Sequence, residues 1–399
     1  MKCKVTCSDF RILAAIFLFP FTLLACRQAG EAHISEGDQD SGAKAIYDQY
    51  CSNCHGKDLR GGNAQSLLDG VWQFGDGRGY VNRNIKYGIP HLGMPSYENS
   101  LSDEEIDLLV TWLYDEQSRA GAEKPDPPAQ LESLEYTIGT EIWVDGLDIP
   151  WAIVFLNRDT ALFTERSGNL RMVVQDQLMD QPVQGIPEVL AEGQGGLMDV
   201  NIDPDYLKNG WIYLSYSHKI DAPEGEDRPP AMTRIVRGKI RNMEWVDEQV
   251  VYEAPHATYR TTRHHYGNRI VFDRKGYLYF SIGDRGAQDQ AQDPTKPNGK
   301  IHRIYPDGSI PDDNPFADQG LATLYTLGNR NPHGLSVHPE TDEVWSAEHG
   351  PLGGDELNLI RAGTNYGWPV ITYGSNYDGR PVSDLTRKEG YAQPILYWK

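Results

Sequence analysis

A repeated pattern of apolar pair, turn and alternating strand constrains the fold of residues 136–399 more than any other feature. It occurs four times, as "VFLNRDTALFTERSG", "NIDPDYLKNGWIYLSYSH", "VFDRKGYLYFSIGDRG" and "VHPETDEVWSAEHG". Alternation of apolar and polar residues between Gly, Asp, Asn and Pro turns predicts β-hairpins. Imperfect repetition of a hairpin with inserted loops predicts an all-β propeller, and an irregular β-sandwich is the alternative that the pattern leaves open.

In a propeller the loops of successive blades converge on one central site, and several loops here carry polar groups suited to chemistry. "TRHHYGNRIVF" places two histidines before a strand, and "SIGDRG" places Asp284 after another. A histidine oriented by a carboxylate is an acid/base pair. The carbonyls of the Gly350-Pro351 turn suit a hard cation such as Ca²⁺. Gln194, Arg330 and Asn331 complete the set, and each of these loops, taken singly, also fits ordinary turn or blade structure.

The stretch "YDQYCSNCHGKDLRGG" carries a different signal. Cys-x-x-Cys alone fits a redox dithiol or half of a zinc site. The histidine that follows at once is the arrangement for thioether attachment of haem at Cys51 and Cys54, with His55 as axial ligand.

A second axial ligand is expected in "HLGMPSYE". Met94 is the only methionine between the N-terminal apolar run and the repeats, and Gly93 and Pro95 would hold its sulfur on a stiff loop. His91 remains the rival ligand, because imidazole also binds haem iron.

Two helices are expected around these elements. "AKAIYDQY" from Ala43 leads into the haem motif. "SDEEIDLLVTWLYDE" opens with Ser102 and Glu105 spaced as a capping box. Its apolar positions fall on one helical face; they are Ile106, Leu109, Val110 and Leu113.

The N-terminus indicates export. Basic residues precede the apolar run 12–25, which is too short for an unaided bilayer crossing. "TLLAC" resembles a lipoprotein box with Cys26 as the lipidated residue, and an ordinary cleaved signal is the alternative. Residues 1–26 are thus read as a lipoprotein-type signal, and 27–42 as a flexible tether. The expected location is the periplasmic or outer side of a bacterial membrane.

The charge excludes one class of partner. With Asp+Glu 57 against Lys+Arg 37, the formal net charge is -20. Because such a chain repels phosphate backbones and no basic stripe reverses this, nucleic acid is not an expected partner.

Residues 41–118 resemble a small class I cytochrome c domain, in the opening helix, haem motif, methionine loop and final helix. We place this domain at 43–118. The proline-rich stretch "RAGAEKPDPPAQ" predicts a linker at 119–135. The expected fold is therefore multi-domain, a small all-α cytochrome followed by the propeller.

The propeller region resembles the soluble PQQ-dependent aldose (glucose/sorbosone) dehydrogenases, which have six blades. The likeness rests on "GQGGLMDV", "HHYGNRIVF", "IGDRG", "GSIPDDNPF", "TLGNRNPHGL", "EHGPLGGDELN" and "NYGWP". It implies that His265 is the catalytic base and Asp284 the carboxylate that orients it, with His264 only structural. It also implies that Gln194, Arg330 and Asn331 surround the quinone, and that the carbonyls of Gly350 and Pro351 bind the calcium that holds PQQ.

One departure from the family stands out. Its later blades supply a lysine and two arginines that grip the PQQ carboxylates, and this sequence stops at "ILYWK" before them. Four hairpins are visible, so two further blades would be needed, and the chain is expected to be a fragment or its site incomplete.

The resemblance implies oxidation of an aldose C1 hydroxyl to a lactone. His265 would take the proton and the quinone the hydride, with calcium and Arg330 stabilising the quinone oxygen. The covalent haem c would then accept the electrons and pass them to a downstream acceptor such as a cytochrome or oxidase. Two alternatives remain open at this point: a lipid-anchored electron carrier whose propeller is a docking module, and a calcium-dependent propeller hydrolase.

Overall fold

A computed structural model of the protein describes residues 36–72, 77–89, 93–121, 130–376 and 380–398. They divide into two compact units, one formed by residues 36–70 and 104–121 and the other by the remainder. Within the described ranges, no helix combines the length and apolar character needed to span a bilayer. The helices are α1 (Glu36–Tyr50), α2 (Ser52–His55), α3 (Arg78–Tyr87), α4 (Asp103–Arg119) and α5 (Tyr206–Asn209).

The first unit is built by α1, α2 and most of α4. The predicted apolar face of α4 is buried, from Ile106 to Leu113. The buried Tyr47 on α1 and Trp112 on α4 place their ring centroids 5.4 Å apart. This pairing joins the opening and closing helices, as the sequence predicts.

Helix α1 is longer than predicted, because it begins at Glu36 and not at Ala43. The end of the predicted tether is therefore helical, whereas residues 27–35, like the signal with Cys26, lie outside the described residues. The polar composition of this stretch suggested a tether. The 2.9 Å ion pair between Asp40 and Arg119, the last residue of α4, gives Asp40 a partner that the local sequence does not show.

The second unit is dominated by β-strands. In chain order they are β1 (Gln130–Glu132), β2 (Thr137–Gly139), β3 (Pro150–Asn157), β4 (Thr160–Glu165), β5 (Leu170–Val174), β6 (Gln177–Leu178), β7 (Leu197–Ile202), β8 (Ile212–Lys219), β9 (Ala231–Arg241), β10 (Glu244–Glu253), β11 (Ile270–Phe272), β12 (Leu278–Ile282), β13 (Lys300–Ile304), β14 (Thr326–Leu327), β15 (Pro332–Val337), β16 (Val344–Glu348), β17 (Asp355–Ile360), β18 (Thr364–Asn365) and β19 (Leu396–Trp398). Because α4 ends at Arg119 and β1 begins at Gln130, regular structure enters both ends of the predicted linker 119–135.

Four sheets form successive propeller blades. They are β3-β4-β5-β6, β7-β8-β9-β10, β11-β12-β13 and β15-β16-β17-β19. Each predicted repeat supplies the first two strands of one blade, paired antiparallel. The four blades confirm the predicted β-hairpins and their propeller arrangement. The two further blades of the expected six-bladed propeller are not among the described residues.

Apolar clusters fill the space between neighbouring blades. Leu162 of the first blade and Leu214 of the second share one cluster, and Tyr213 of the second shares another with Phe280 of the third. A third cluster joins Ile301 of the third blade to Leu335 of the fourth. Burial between sheets therefore holds the blades in order around the site.

A hydroxyl on the second strand of each of the first three blades adds a polar link to the next blade. It donates to a backbone carbonyl at or just before the first strand of the following blade. These hydrogen bonds run from Thr164 to Met198 (2.5 Å), from Ser215 to Asn268 (2.6 Å) and from Ser281 to Pro332 (2.7 Å). Ser346 holds the same place in the fourth blade and is fully buried, yet its hydroxyl has no hydrogen-bond partner within the described part of the chain.

Candidate active site

The two predicted catalytic residues lie together in the second unit. His265 Nδ1 and Asp284 Oδ1 are 2.7 Å apart. His265 precedes β11 with a φ of +56°, a conformation that is rare for a residue with a side chain. Gly283 lies beneath it, because a Cβ there would collide with the His265 carbonyl. The loop geometry thus presents the imidazole to the carboxylate.

The Asp284 carboxylate is fully buried, and both of its oxygens accept hydrogen bonds. Oδ1 also accepts the backbone N–H of Gly286 at 2.8 Å, and Oδ2 accepts the indole N–H of Trp368 at 2.8 Å. Burial alone would raise the pKa of Asp284, but the hydrogen bonds from His265 and Gly286 and the nearby charge of Arg330 together outweigh it and hold the pKa below its usual value. Asp284 is therefore an ionised acceptor at neutral pH.

The imidazole of His265 is neutral and correctly oriented for a base. Burial lowers the pKa of His265, and the hydrogen bond with Asp284 opposes that shift only in part. Since an ionised carboxylate can only accept, Nδ1 carries the proton and Nε2 keeps a lone pair. Nε2 can then take a proton from a bound hydroxyl group.

Gln194 is brought to the same place by the loop before β7. Its Oε1 accepts the backbone N–H of His265 at 2.7 Å, and its own N–H donates to the Arg263 carbonyl at 2.8 Å. Gly193 has a φ of +58°, and a Cβ there would meet Arg263. A glycine is required for this close approach, so the sequence "GQGG" is explained by the contact.

Arg330 and Asn331 connect the histidine loop to the fourth blade. Asn331 Oδ1 accepts the Gly267 N–H at 3.1 Å, and its carbonyl accepts the His349 N–H at 3.1 Å. The Arg330 guanidinium donates to the carbonyls of His349 (3.0 Å) and Gly350 (2.6 Å). Its Nε is buried with no partner in the described ranges. The Arg330 Nε–H is therefore a buried donor that could form a hydrogen bond to an anionic ligand.

The predicted calcium ligands lie beside Arg330. Gly350 is fixed by its N–H bond to Asp355 Oδ1 at 2.8 Å, and its carbonyl accepts from Arg330. A carbonyl has two lone pairs, so a cation can share this oxygen. No group of three or more His, Cys, Asp or Glu side chains among the described residues could hold a metal. A calcium ion here would therefore depend on backbone oxygens such as those of Gly350 and Pro351.

Two buried residues of the site were not singled out in the sequence. Trp368 lies 84 residues from the carboxylate it contacts. Arg285, fully buried, donates to the carbonyls of His264 and Thr262, the latter at 2.7 Å. Its guanidinium lies 3.5 Å from the Tyr266 ring centroid. The only signals were their positions in "NYGWP" and "IGDRG".

The haem motif of the first unit has the chemistry that the sequence predicts. Cys51 and Cys54 are unpaired thiols at the start and within α2. His55 Nδ1 lies 2.9 Å from the Gln65 carbonyl. Because a carbonyl only accepts, Nδ1 carries the proton and the lone pair of Nε2 is free to bind a metal. These groups fit a covalently attached haem.

Met94 lies on a closed loop of the second unit. Its backbone exchanges two hydrogen bonds with Ile89, at 2.8 and 3.2 Å. Gly88 has a φ of +72°, and a Cβ there would collide with Pro95. His91 lies outside the described residues. The choice between Met94 and His91, and the pairing of either with His55, stays a prediction.

Comparison with known proteins identifies the class. Residues 147–399 match the glucose/sorbosone dehydrogenase family, and residues 38–113 match the family described as cytochrome c oxidase, cbb3-type, subunit III. The chain belongs to the glucose/sorbosone dehydrogenase family, with a cytochrome c region attached. This confirms the predicted resemblance and the predicted class of enzyme.

Three relatives illustrate the extent of the match. The chain is 38% identical to the aldose sugar dehydrogenase YliI of Escherichia coli, over 66% of this chain and 71% of that protein. It is 30% identical to quinoprotein glucose dehydrogenase B of Acinetobacter calcoaceticus, over 63% of this chain and 57% of that protein. The PQQ-bound aldose sugar dehydrogenase structure from Streptomyces coelicolor is 25% identical with a TM-score of 0.50, over 64% of this chain and 69% of that one.

Proposed function

We propose that this protein is a quinohaemoprotein oxidoreductase. It oxidises the C1 hydroxyl of an aldose to a lactone and passes the electrons to a haem c on the same chain. The observation that carries the proposal is the 2.7 Å contact of His265 and Asp284 next to Arg330, in a chain that also carries a haem-attachment motif. The names of the relatives support the sugar and PQQ.

His265 acts as the base. Its Nε2 removes the hydroxyl proton as the C1–H leaves with its electron pair, and Asp284 stabilises the imidazolium that forms. When bound, PQQ would supply the two-electron acceptor for that hydride, and a haem c would supply one-electron transfer from it. Gln194, Arg330 and Asn331 would hold the quinone. The buried positive charge of Arg330 favours negative charge on a ligand oxygen.

Calcium completes the site through backbone oxygens. The carbonyls of Gly350 and Pro351 would bind it, since main-chain oxygen is a preferred ligand of this ion. Asp355 fixes the Gly350 backbone and so orients the first of these oxygens.

Cys51 and Cys54 would hold a haem covalently, and His55 and Met94 would bind its iron. Support comes from the hydrogen bond of His55 Nδ1 to Gln65, which leaves Nε2 for iron. A downstream cytochrome or oxidase then takes the electrons from the haem.

The complete propeller of this family would have six blades, two more than the four formed by the described residues. The unpartnered hydroxyl of Ser346 supports this, because its equivalents Thr164, Ser215 and Ser281 all donate to the following blade. The further blades would also carry the cationic side chains for the PQQ carboxylates.

The protein is exported and anchored by lipid at Cys26 on the periplasmic or outer side of a bacterial membrane. "TLLAC" after a short apolar run supports the anchor. Mass spectrometry of the mature N-terminus tests it, and an unmodified N-terminus at another residue would contradict it.

Haem reduction by sugar tests the enzymatic function. An aldose should reduce the haem of full-length protein loaded with PQQ and Ca²⁺, and omission of either should prevent it. A carrier with a docking propeller would bind no PQQ, and a hydrolase would leave the haem oxidised. Because the linker keeps both regions at high local concentration, the rate per molecule should not fall on dilution.

A further inference from the structure

We propose that Trp368 is a positioning residue of this site, whose indole N–H fixes the Asp284 carboxylate and, through it, the ring of His265. Its role in catalysis rests on the proposed function. The hydrogen bond itself is a property of the chain and can be tested without sugar or quinone.

Three donors from the described residues surround the Asp284 carboxylate, and they are divided unequally between its two oxygens. A fully buried carboxylate is costly unless its oxygens accept several hydrogen bonds. Oδ1 has two donors, His265 and Gly286, whereas the partner of Oδ2 in the described chain is Trp368 alone. Without the indole, rotation of the carboxylate about its Cβ–Cγ bond would no longer be opposed at Oδ2.

Trp368 is itself held in place by hydrogen bonds of its backbone. Its backbone N–H donates to the Gly328 carbonyl at 2.9 Å, and its carbonyl accepts from Gln292 Nε2 at 2.7 Å. Gln292 also pairs with Asn365, which donates to Gln292 Oε1 at 2.7 Å. Trp368 is 4% exposed. The indole direction is therefore set by the surrounding loop before it meets Asp284.

The indole N–H of Trp368 has a hydrogen-bond partner, whereas a second buried indole N–H has none in the described part of the chain. An indole N–H can only donate, and its buried nitrogen normally finds an acceptor. Trp345 on β16 shows the contrast, because its Nε1 is buried without a hydrogen-bond partner in the described ranges. Trp368 therefore does more than pack, and Trp345 offers a matched comparison.

The electrostatic consequence has a definite sign. Donation from Trp368 disperses part of the negative charge of Asp284, so less of it attracts a proton to His265. Loss of the donor should strengthen that attraction and raise the pKa of His265. The other charged or titratable groups that face this pair are Arg285, Arg330, His264 and His333.

The decisive experiment follows the His265 ring by NMR in PQQ-free full-length protein. Trp368→Phe should raise the His265 pKa by about half a pH unit or more, and Trp345→Phe should leave it unchanged. Equal His265 pKa values in all three proteins would overturn the proposal. The same variants with PQQ should show haem reduction by sugar about tenfold slower for Trp368→Phe alone.

A measurement on the wild type covers the case in which Trp368→Phe does not fold. The Trp368 indole N–H signal should lie downfield, exchange slowly and shift with the midpoint of His265. An indole N–H signal that exchanges rapidly and does not shift as His265 titrates would refute the hydrogen bond. If the pKa result holds but no sugar reduces the haem, the positioning role stands and the proposed reaction fails.

Discussion

The backbone N–H of His265 donates to Gln194 Oε1 at 2.7 Å across 71 residues of sequence. This bond joins the loop before the second blade to the loop before the third. His265 has a positive φ, which costs a non-glycine residue on the order of 1–3 kcal/mol unless its surroundings hold it. Gln194 therefore stabilises the conformation that lets the imidazole reach Asp284.

Replacement of Gln194 should weaken the enzyme without unfolding it. We expect Gln194→Ala to slow haem reduction by sugar about tenfold or more, because a lost hydrogen bond lets His265 relax. Stopped-flow absorbance of the haem measures this rate. Gln184→Ala is the control, since the Gln184 side chain bonds only Pro182 in its own loop. An equal loss in both variants would contradict the assignment.

Replacement of His265 and replacement of the adjacent His264 should have very different effects on the rate of haem reduction by sugar. His265→Ala should reduce the rate of haem reduction by sugar at least ~100-fold, since it removes the base. Reduction by dithionite should be unchanged, because the haem is untouched. His264→Ala should stay within about threefold of wild type, since the hydrogen bond to Asp284 comes from His265 and not from His264. Rapid sugar-driven reduction in His265→Ala would place the chemistry elsewhere.

The sequence predicts the residues of this site better than it predicts the residues that hold them in place. His265, Asp284, Gln194 and Asn331 were singled out because they lie in polar loops and because the order of those loops resembles the PQQ-dependent aldose dehydrogenases. The hydrogen bond from Trp368 to Asp284 could not be inferred, since it depends on how the fourth blade closes against the third.

The boundary of α1 illustrates a second limit. Residues 36–42 are polar and read as a tether, while the ion pair that uses Asp40 comes from the far end of α4. A local pattern does not contain such a distant partner. The same holds for the unpartnered Ser346, whose meaning appears only beside its three equivalents in space.

The axial methionine gives a spectroscopic prediction. Met94→Ala should abolish the sulfur-to-iron absorption band at the red end of the spectrum and lower the reduction potential of the haem. Met179→Ala, in the propeller, is the control and should change neither. An unchanged band in Met94→Ala would transfer the ligand role, with His91 the first residue to examine.

A buried histidine should make the propeller sensitive to acid. His302 donates from Nε2 to the Pro297 carbonyl at 2.8 Å, and burial lowers its pKa from 6.5 to about 3. His302 therefore binds a proton below pH 6.5 in the unfolded chain, but only below about pH 3 in the folded chain. Stability is present above pH 6.5 and is lost as the pH falls, by up to about 1.4 kcal/mol per pH unit.

Denaturant unfolding at pH 7.5 and 4.5 measures this effect. Between the two pH values, the free energy of unfolding of His302→Gln should fall by about 2–3 kcal/mol less than that of wild type. This difference does not depend on the absolute stability of the variant. His256→Gln, at an exposed site, should behave like wild type. An identical pH dependence for His302→Gln would show that another group controls acid unfolding.

The hydroxyls between blades give a graded series. Ser215 and Ser281 each donate to a buried carbonyl of the next blade, at 2.6 and 2.7 Å. Replacement by alanine leaves that carbonyl with one partner fewer in a dry interface, at a cost of about 1–2 kcal/mol in the free energy of unfolding. Ser346 is equally buried but bonds nothing in the described chain, so Ser346→Ala should change stability by less than about 0.5 kcal/mol.

The three serine variants therefore serve as controls for one another, since each removes one oxygen from a fully buried position on the second strand of a blade. Their unfolding midpoints in urea, measured by tryptophan fluorescence, should fall for Ser215→Ala and Ser281→Ala and stay near wild type for Ser346→Ala. In a longer polypeptide that contains a following blade, Ser346→Ala should become as costly as the other two. A large loss for Ser346→Ala in the 399-residue chain would mean that its hydroxyl already has an acceptor, and would remove the main support for a further blade at that edge.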